Sequence, residues 1–107
     1  MSFHESARDV RVEDGRTLVA DLRNGNGDFV TARLDLNTVL GNNDGRFCWG
    51  GGGFSDSASD TYFQFDQPTN LPILRAKLTA SDGSKFDGVV NLSERITNNN
   101  GSFELTK

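Results

Sequence analysis

A chain of 107 residues suffices for one compact domain, which at this size buries roughly 65% of its unfolded surface. With 35% apolar residues the core is economical and leans on the 8 Phe, while 12 Gly against 2 Pro favour short strands and frequent turns over long helices. The net charge of −4 argues against nucleic acid and against an anionic membrane surface as partners, and no apolar run nears the ~20 residues of a membrane span.

The opening Met1-Ser2-Phe3-His4-Glu5 lacks the basic start and apolar stretch of a secretory signal. Cys48 is the single cysteine, so no intrachain disulfide can form. Both features suggest a reducing, cytoplasmic setting. Phe3-His4-Glu5-Ser6-Ala7-Arg8-Asp9 is echoed by Phe54-Ser55-Asp56-Ser57-Ala58-Ser59-Asp60, 51 residues on. Ser55-Asp56-Ser57 after Phe54 predicts one capped helical turn. Alternating runs follow, Val10-Arg11-Val12 and Tyr62-Phe63-Gln64-Phe65. Leu18-Val19-Ala20-Asp21-Leu22 then meets Leu74-Arg75-Ala76-Lys77-Leu78, now 56 apart, each with three apolar residues on one strand face. The change in spacing marks one insertion in the second copy, around Asp66-Gln67-Pro68-Thr69-Asn70-Leu71-Pro72, which reads as a longer turn. Turns at Gly27 and Gly83 lead to a third strand in each copy.

Asp35-Leu36-Asn37-Thr38-Val39-Leu40 and Ser93-Glu94-Arg95-Ile96 read as short helical turns with polar caps. Asn42-Asn43-Asp44-Gly45 and Asn98-Asn99-Asn100-Gly101 predict tight turns, since Asn and Gly tolerate positive φ. Phe47-Cys48-Trp49 and Phe103-Glu104-Leu105 close the units as short strands. Repeats 1–50 and 51–107 are each too small to bury a good core alone, so they must share one within a single domain. Gly50-Gly51-Gly52-Gly53 reads as the linker between them, with no following Gly-Lys-Ser/Thr to suggest a phosphate loop.

Little catalytic chemistry is legible. One His and one Cys cannot build a zinc site, and Asn42-Asn43-Asp44-Gly45 lacks the alternating acids of a calcium loop, so neither metal nor cofactor is expected. His4 reads as a surface residue near the terminus, Cys48 as the edge of the core, and no Gly-x-Ser-x-Gly elbow occurs. The 15 acids offer many carboxylate pairs but none stands out, and the chain is expected not to be an enzyme. What remains is Asn, Asp, Ser and Gly at equivalent turns of both units. Such groups suit the hydroxyls of a sugar, and they equally suit turn formation alone.

The duplicated segments Leu34-Asp35-Leu36-Asn37 through Asn42-Asn43-Asp44-Gly45-Arg46-Phe47-Cys48-Trp49, and Val90-Asn91-Leu92 through Asn100-Gly101-Ser102-Phe103, resemble the cyanovirin-N homologue family of lectins. The resemblance spans essentially the whole chain. It implies an all-β fold of two pseudo-symmetric halves that exchange strands, each a triple-stranded sheet plus a β-hairpin, with short 3₁₀ turns. Half A combines about 1–39 with 91–107, and half B is about 40–90. It also implies calcium-independent binding of terminal α(1→2)-linked mannose on high-mannose oligosaccharides or glycoproteins, one pocket per half. By position, the half B pocket falls on Gly41, Asn42, Asp44, Gly53, Asp56, Ser57, Thr79, Ala80, Ser81 and Asp82, with Asp44 and Asp56 accepting sugar hydroxyls and Asn42 framing the pocket. The half A pocket falls on Ser2, Glu5, Ser6, Arg23, Asn24, Gly25, Asn98 and Asn100, with Glu5 and the two Asn accepting and Arg23 donating.

Four departures from the family pattern shape the expectations. The founding member of that family has two disulfides, and the corresponding positions here are Ala7, Leu22, Ala58 and Leu78, so packing must replace crosslinks worth about 2–4 kcal/mol each. The linker lacks the proline that accompanies strand-exchanged dimers in that founding member, which favours a monomer. Asn100 stands where the family has Asp, and Ala80 and Ser81 where it has longer polar residues. Hydrogen bonds to charged groups outweigh neutral ones, so the pockets should be weak and unequal, near millimolar or about −4 kcal/mol. The competing expectation is a protein-interaction or structural β module whose sugar pockets have decayed.

Overall fold

The computed structural model describes residues 3–106. Its elements repeat in order, as the sequence does. The first repeat runs from a 3₁₀ turn at Phe3–Ser6 into β1 (Ala7–Glu13), β2 (Thr17–Arg23) and β3 (Phe29–Asp35), then a 3₁₀ turn at Leu36–Thr38, β4 (Leu40–Asn42) and β5 (Phe47–Trp49). The second runs from a 3₁₀ turn at Phe54–Ser57 into β6 (Ala58–Asp66), β7 (Leu71–Thr79) and β8 (Lys85–Asn91), then a 3₁₀ turn at Leu92–Glu94, β9 (Ile96–Asn99) and β10 (Ser102–Leu105). Strands β1-β2-β3 and β6-β7-β8 form antiparallel sheets, and β4-β5 and β9-β10 form hairpins.

Alternation builds the core. Leu18, Ala20 and Leu22 on β2 and Leu74, Ala76 and Leu78 on β7 are buried. Leu36, Leu40, Leu92, Ile96, Phe3 and Phe54 join residues of both sheets in one apolar cluster, so the two repeats share an interior. Ala7 pairs with Leu22 and Ala58 with Leu78 across adjacent strands, so both pairs expected to substitute packing for a crosslink do meet as aliphatic neighbours. Asp35 and Asn91 cap their 3₁₀ turns by accepting from the amides of Asn37 and Ser93, each at 3.0 Å.

Exchange between the halves is visible in the contacts. Hairpin β9-β10 of the second repeat packs against the Phe3–Ser6 turn and β3 of the first, while β4-β5 of the first packs against the Phe54–Ser57 turn and β8 of the second.

Three expectations need correction. The insertion near Asp66 is mainly a longer hairpin: β6 and β7 each exceed β1 and β2 by two residues, and the turn gains only one. The glycine segment is pinned, not a loose tether. Gly50 N–H donates to Val39 O at 2.9 Å and Gly53 N–H to Asn37 O at 2.8 Å. A Cβ on Gly51 would stand 3.0 Å from the Cα of Gly41, so the two backbones touch. His4 is half-buried, its ring edge-on to Phe3 at 6.0 Å, because the 3₁₀ turn folds it back onto the core.

Candidate functional site

The β4-β5 turn sets the first site. Asp44 and Gly45 both have positive φ, 53° and 94°, and Asn43 and Arg46 exchange backbone hydrogen bonds across them. This two-residue turn accepts Asp and Gly because both enter the left-handed region at modest cost. Asn42, at the end of β4, locks the turn against the other repeat. Its amide donates to Ser57 Oγ and to Thr79 O, both at 2.8 Å, and its Oδ1 accepts from Gly45 N–H at 2.8 Å. Asp44 then reaches the β7-β8 turn, where its Oδ1 accepts from Ser81 N–H and from Ser81 Oγ, each at 2.9 Å. The Ser81 backbone and hydroxyl hold the Asp44 carboxyl below the ordinary aspartate value of 3.8. Its Oδ2 has no hydrogen-bond partner among the described residues and stays available.

These residues enclose an open recess of about 390 Å³, bounded by Asn42, Asp44, Ser57, Thr79, Ala80 and Ser81. Small-ligand sites span about 300–1,000 Å³. The remaining half B residues stand outside it. Gly41 is buried against the glycine segment, Gly53 is the left-handed residue before the Phe54–Ser57 turn, and exposed Asp56 has its carboxylate beside Gly53. Asp82 turns back to accept from Ser84 N–H at 2.9 Å, which lowers its pKa too.

The second site repeats this scaffold. Asn98 on β9 donates to Ser6 Oγ and Arg23 O, both at 2.8 Å, and accepts from Gly101 N–H at 2.8 Å. Asn100, with φ of 53°, reaches the β2-β3 turn and accepts from Gly25 N–H at 2.7 Å. Asn24 closes that turn through its Oδ1, which accepts from Asn26 N–H at 3.0 Å and Asp28 N–H at 3.1 Å. Glu5 is exposed on the Phe3–Ser6 turn, and Ser2 lies outside the described residues. Asn98 therefore braces the site through both its amide and its carbonyl, as Asn42 does, and its Oδ1 is already engaged. Arg23 contributes a backbone carbonyl.

Two residues beside the first site carried no sequence signal. Arg46 closes the β4-β5 turn and Phe86 is an exposed residue of β8, yet the Phe86 ring lies against Gly45 so closely that a Cβ there would stand 2.5 Å from Phe86 Cδ2. Among the described residues, no cluster of three or more His, Cys, Asp or Glu is placed to hold a metal ion.

Comparisons with known proteins agree with this architecture. A family model described as the CVNH domain matches residues 3–104. A cyanovirin-N homolog from Neurospora crassa is 43% identical, with 97% of each chain covered. The NMR structure of a CVNH protein from Gibberella zeae superposes with a TM-score of 0.92 at 45% identity, covering 98% of this chain and 97% of the other. A MoCVNH3 variant, solved in complex with an N-acetylglucosamine tetramer, superposes with a TM-score of 0.83 at 27% identity, covering 96% and 95%.

Proposed function

This chain belongs to the CVNH lectin family, and on that footing we propose that it binds terminal α(1→2)-linked mannose of oligosaccharides, without calcium and without chemical turnover. The Asn42 recess is the stronger of its two sites. The observation that carries this reading is the Asp44 carboxylate, which borders the recess: Oδ1 is fixed by Ser81, while Oδ2 has no hydrogen-bond partner among the described residues. A preorganised anionic acceptor suits adjacent hydroxyls of a pyranose, since charge-assisted hydrogen bonds are shorter and stronger than neutral ones. The Asn98 site offers a neutral amide in its place and binds more weakly.

The test is a ¹H–¹⁵N titration with α(1→2)-mannobiose, with and without EDTA. Shifts are expected first at Asn42, Asp44 and Ser81, then at Gly25, Asn98 and Asn100, unchanged by the chelator, with the disaccharide intact afterwards. Affinity should lie near millimolar, about −4 kcal/mol. Silence at all six positions in excess sugar overturns the lectin reading and leaves the protein-interaction module. Binding of an N-acetylglucosamine tetramer in preference to mannobiose, as the MoCVNH3 complex makes worth testing, overturns the mannose assignment alone.

A further inference from the structure

We propose that the Asn42 recess is the first subsite of a longer groove in the same half, which seats the following pyranoses of a mannose oligosaccharide and stacks one of them on Phe86. This rests on the lectin reading above. On the far side of the β4-β5 turn, Asp44 also borders a second depression of about 440 Å³, with Arg46, Phe86 and Asp87 around it. That depression shares Arg46 and Asp87 with a third of about 340 Å³, which runs over Gly88 and Val89. The third shares Asp87 and Val89 with a fourth of about 310 Å³ on the outer face of β6-β7-β8, where Tyr62 closes it. Each depression thus meets the next through a shared side chain, starting at the carboxylate that anchors the first.

The lining chemistry selects the ligand. Phe86 is 51% exposed although its ring is fixed from behind by Gly45, so an aromatic surface faces the groove at little further ordering cost. The Arg46 guanidinium forms no ion pair among the described residues and offers donors, while the Asp87 side chain is 84% exposed, touched by Lys77 at 3.1 Å, and offers acceptors. The signs balance, Asp44 and Asp87 against Arg46 and Lys77, which favours a neutral ligand over an anionic or cationic one. A neutral molecule that presents an apolar face and a rim of hydroxyls is a pyranose. The equivalent positions of the other half differ. Shifted by 56, the positions of Phe86, Asp87 and Arg46 are Val30, Thr31 and Ser102, with no ring, no carboxylate and no cation.

Isothermal titration and NMR with α(1→2)-mannobiose and a linear α(1→2)-mannotetraose test the groove. The tetrasaccharide should bind the half B site about tenfold more tightly, although it presents the same single terminal unit as the disaccharide. Phe86 ring protons should shift with the tetrasaccharide only. Phe86→Val and Arg46→Ser each install the half A counterpart at an exposed position. Both should erase most of the gain and leave the mannobiose Kd within about twofold, with dispersed amide spectra confirming the fold. Equal affinities with a silent Phe86 ring overturn the groove and leave the recess standing, as does a Phe86→Val variant that weakens both sugars alike. Mannobiose that fails to move Asn42 and Asp44 removes the lectin reading, and the groove with it.

Discussion

At one end of the molecule a carboxylate ties hairpin to sheet, and at the other an amide does. Asn42 and Asn98 make the same three hydrogen bonds to equivalent partners, at the same 2.8 Å. One position further along, Asp44 takes two donors from Ser81, whereas Asn100 takes one from Gly25. The Asn brace is the same in both halves and the bridging group beside it is not. On the lectin reading, the brace sets the shape of each recess and the Asp44 or Asn100 bridge sets its binding strength.

The largest effect tests whether the frames are energetically equivalent. Phe3 packs edge-on to Phe103 and Phe54 tilts against Phe47, each pair with ring centroids 5.5 Å apart, and both anchors are fully buried. Phe3→Ala and Phe54→Ala should each cost about 3–5 kcal/mol in urea unfolding. A gap of more than about 2 kcal/mol between them would break the equivalence, since the same large-to-small change spreads that far in cores that collapse differently.

A smaller effect tests the ligand-facing group. Asp44→Asn should weaken mannobiose at the first site by about fivefold, and Asn100→Asp should strengthen the second by a similar factor, because charged hydrogen bonds outweigh neutral ones. Sugar titrations followed at Ser81 and Gly25 separate the two sites. Unchanged affinities would place the difference elsewhere, at the rim.

The smallest effect needs no sugar. The Asp44 carboxyl is held below 3.8 by the Ser81 amide and hydroxyl. A depressed acid keeps its bridge above the unfolded pKa and loses it as pH falls through the folded one. Amide and side-chain shifts of Ser81 should follow that titration below pH 3.8, while Gly25, bonded to an amide that does not titrate, should show no matching step. A Ser81 that ignores Asp44 would remove the bridge.

The repeat, the strand faces, the polar cap at Asp35 and the tight Asn-Gly turns were legible because each rests on local spacing and turn chemistry, whereas the Asn42 and Asn98 braces join distant segments, and the Phe54–Ser57 turn is preceded by Gly53 with no side-chain cap. The half B residues implied by resemblance divide in the structure: Asn42, Asp44, Ser57, Thr79, Ala80 and Ser81 converge, while Gly41, Gly53, Asp56 and Asp82 serve neighbouring turns. The insertion at Asp66 was misread because Pro68 and Pro72 interrupt the alternation that a hairpin extension otherwise shows, although Pro72 pairs with Phe65. The glycine run suggested slack because sequence shows freedom of the backbone and not what packs on it. Phe86 was invisible for a related reason. In its register it shares the core-side face with Leu78 but sits near the end of that face, half-exposed, and only a hairpin from the other repeat gives it Gly45 as a floor.

Asn42 closes on Ser57 and Thr79, and Asn98 on Ser6 and Arg23. Each of these two side-chain amides therefore donates from one copy to residues of the other. A polypeptide bearing a single copy would hold the latch of one recess and the walls of its counterpart, and complete neither.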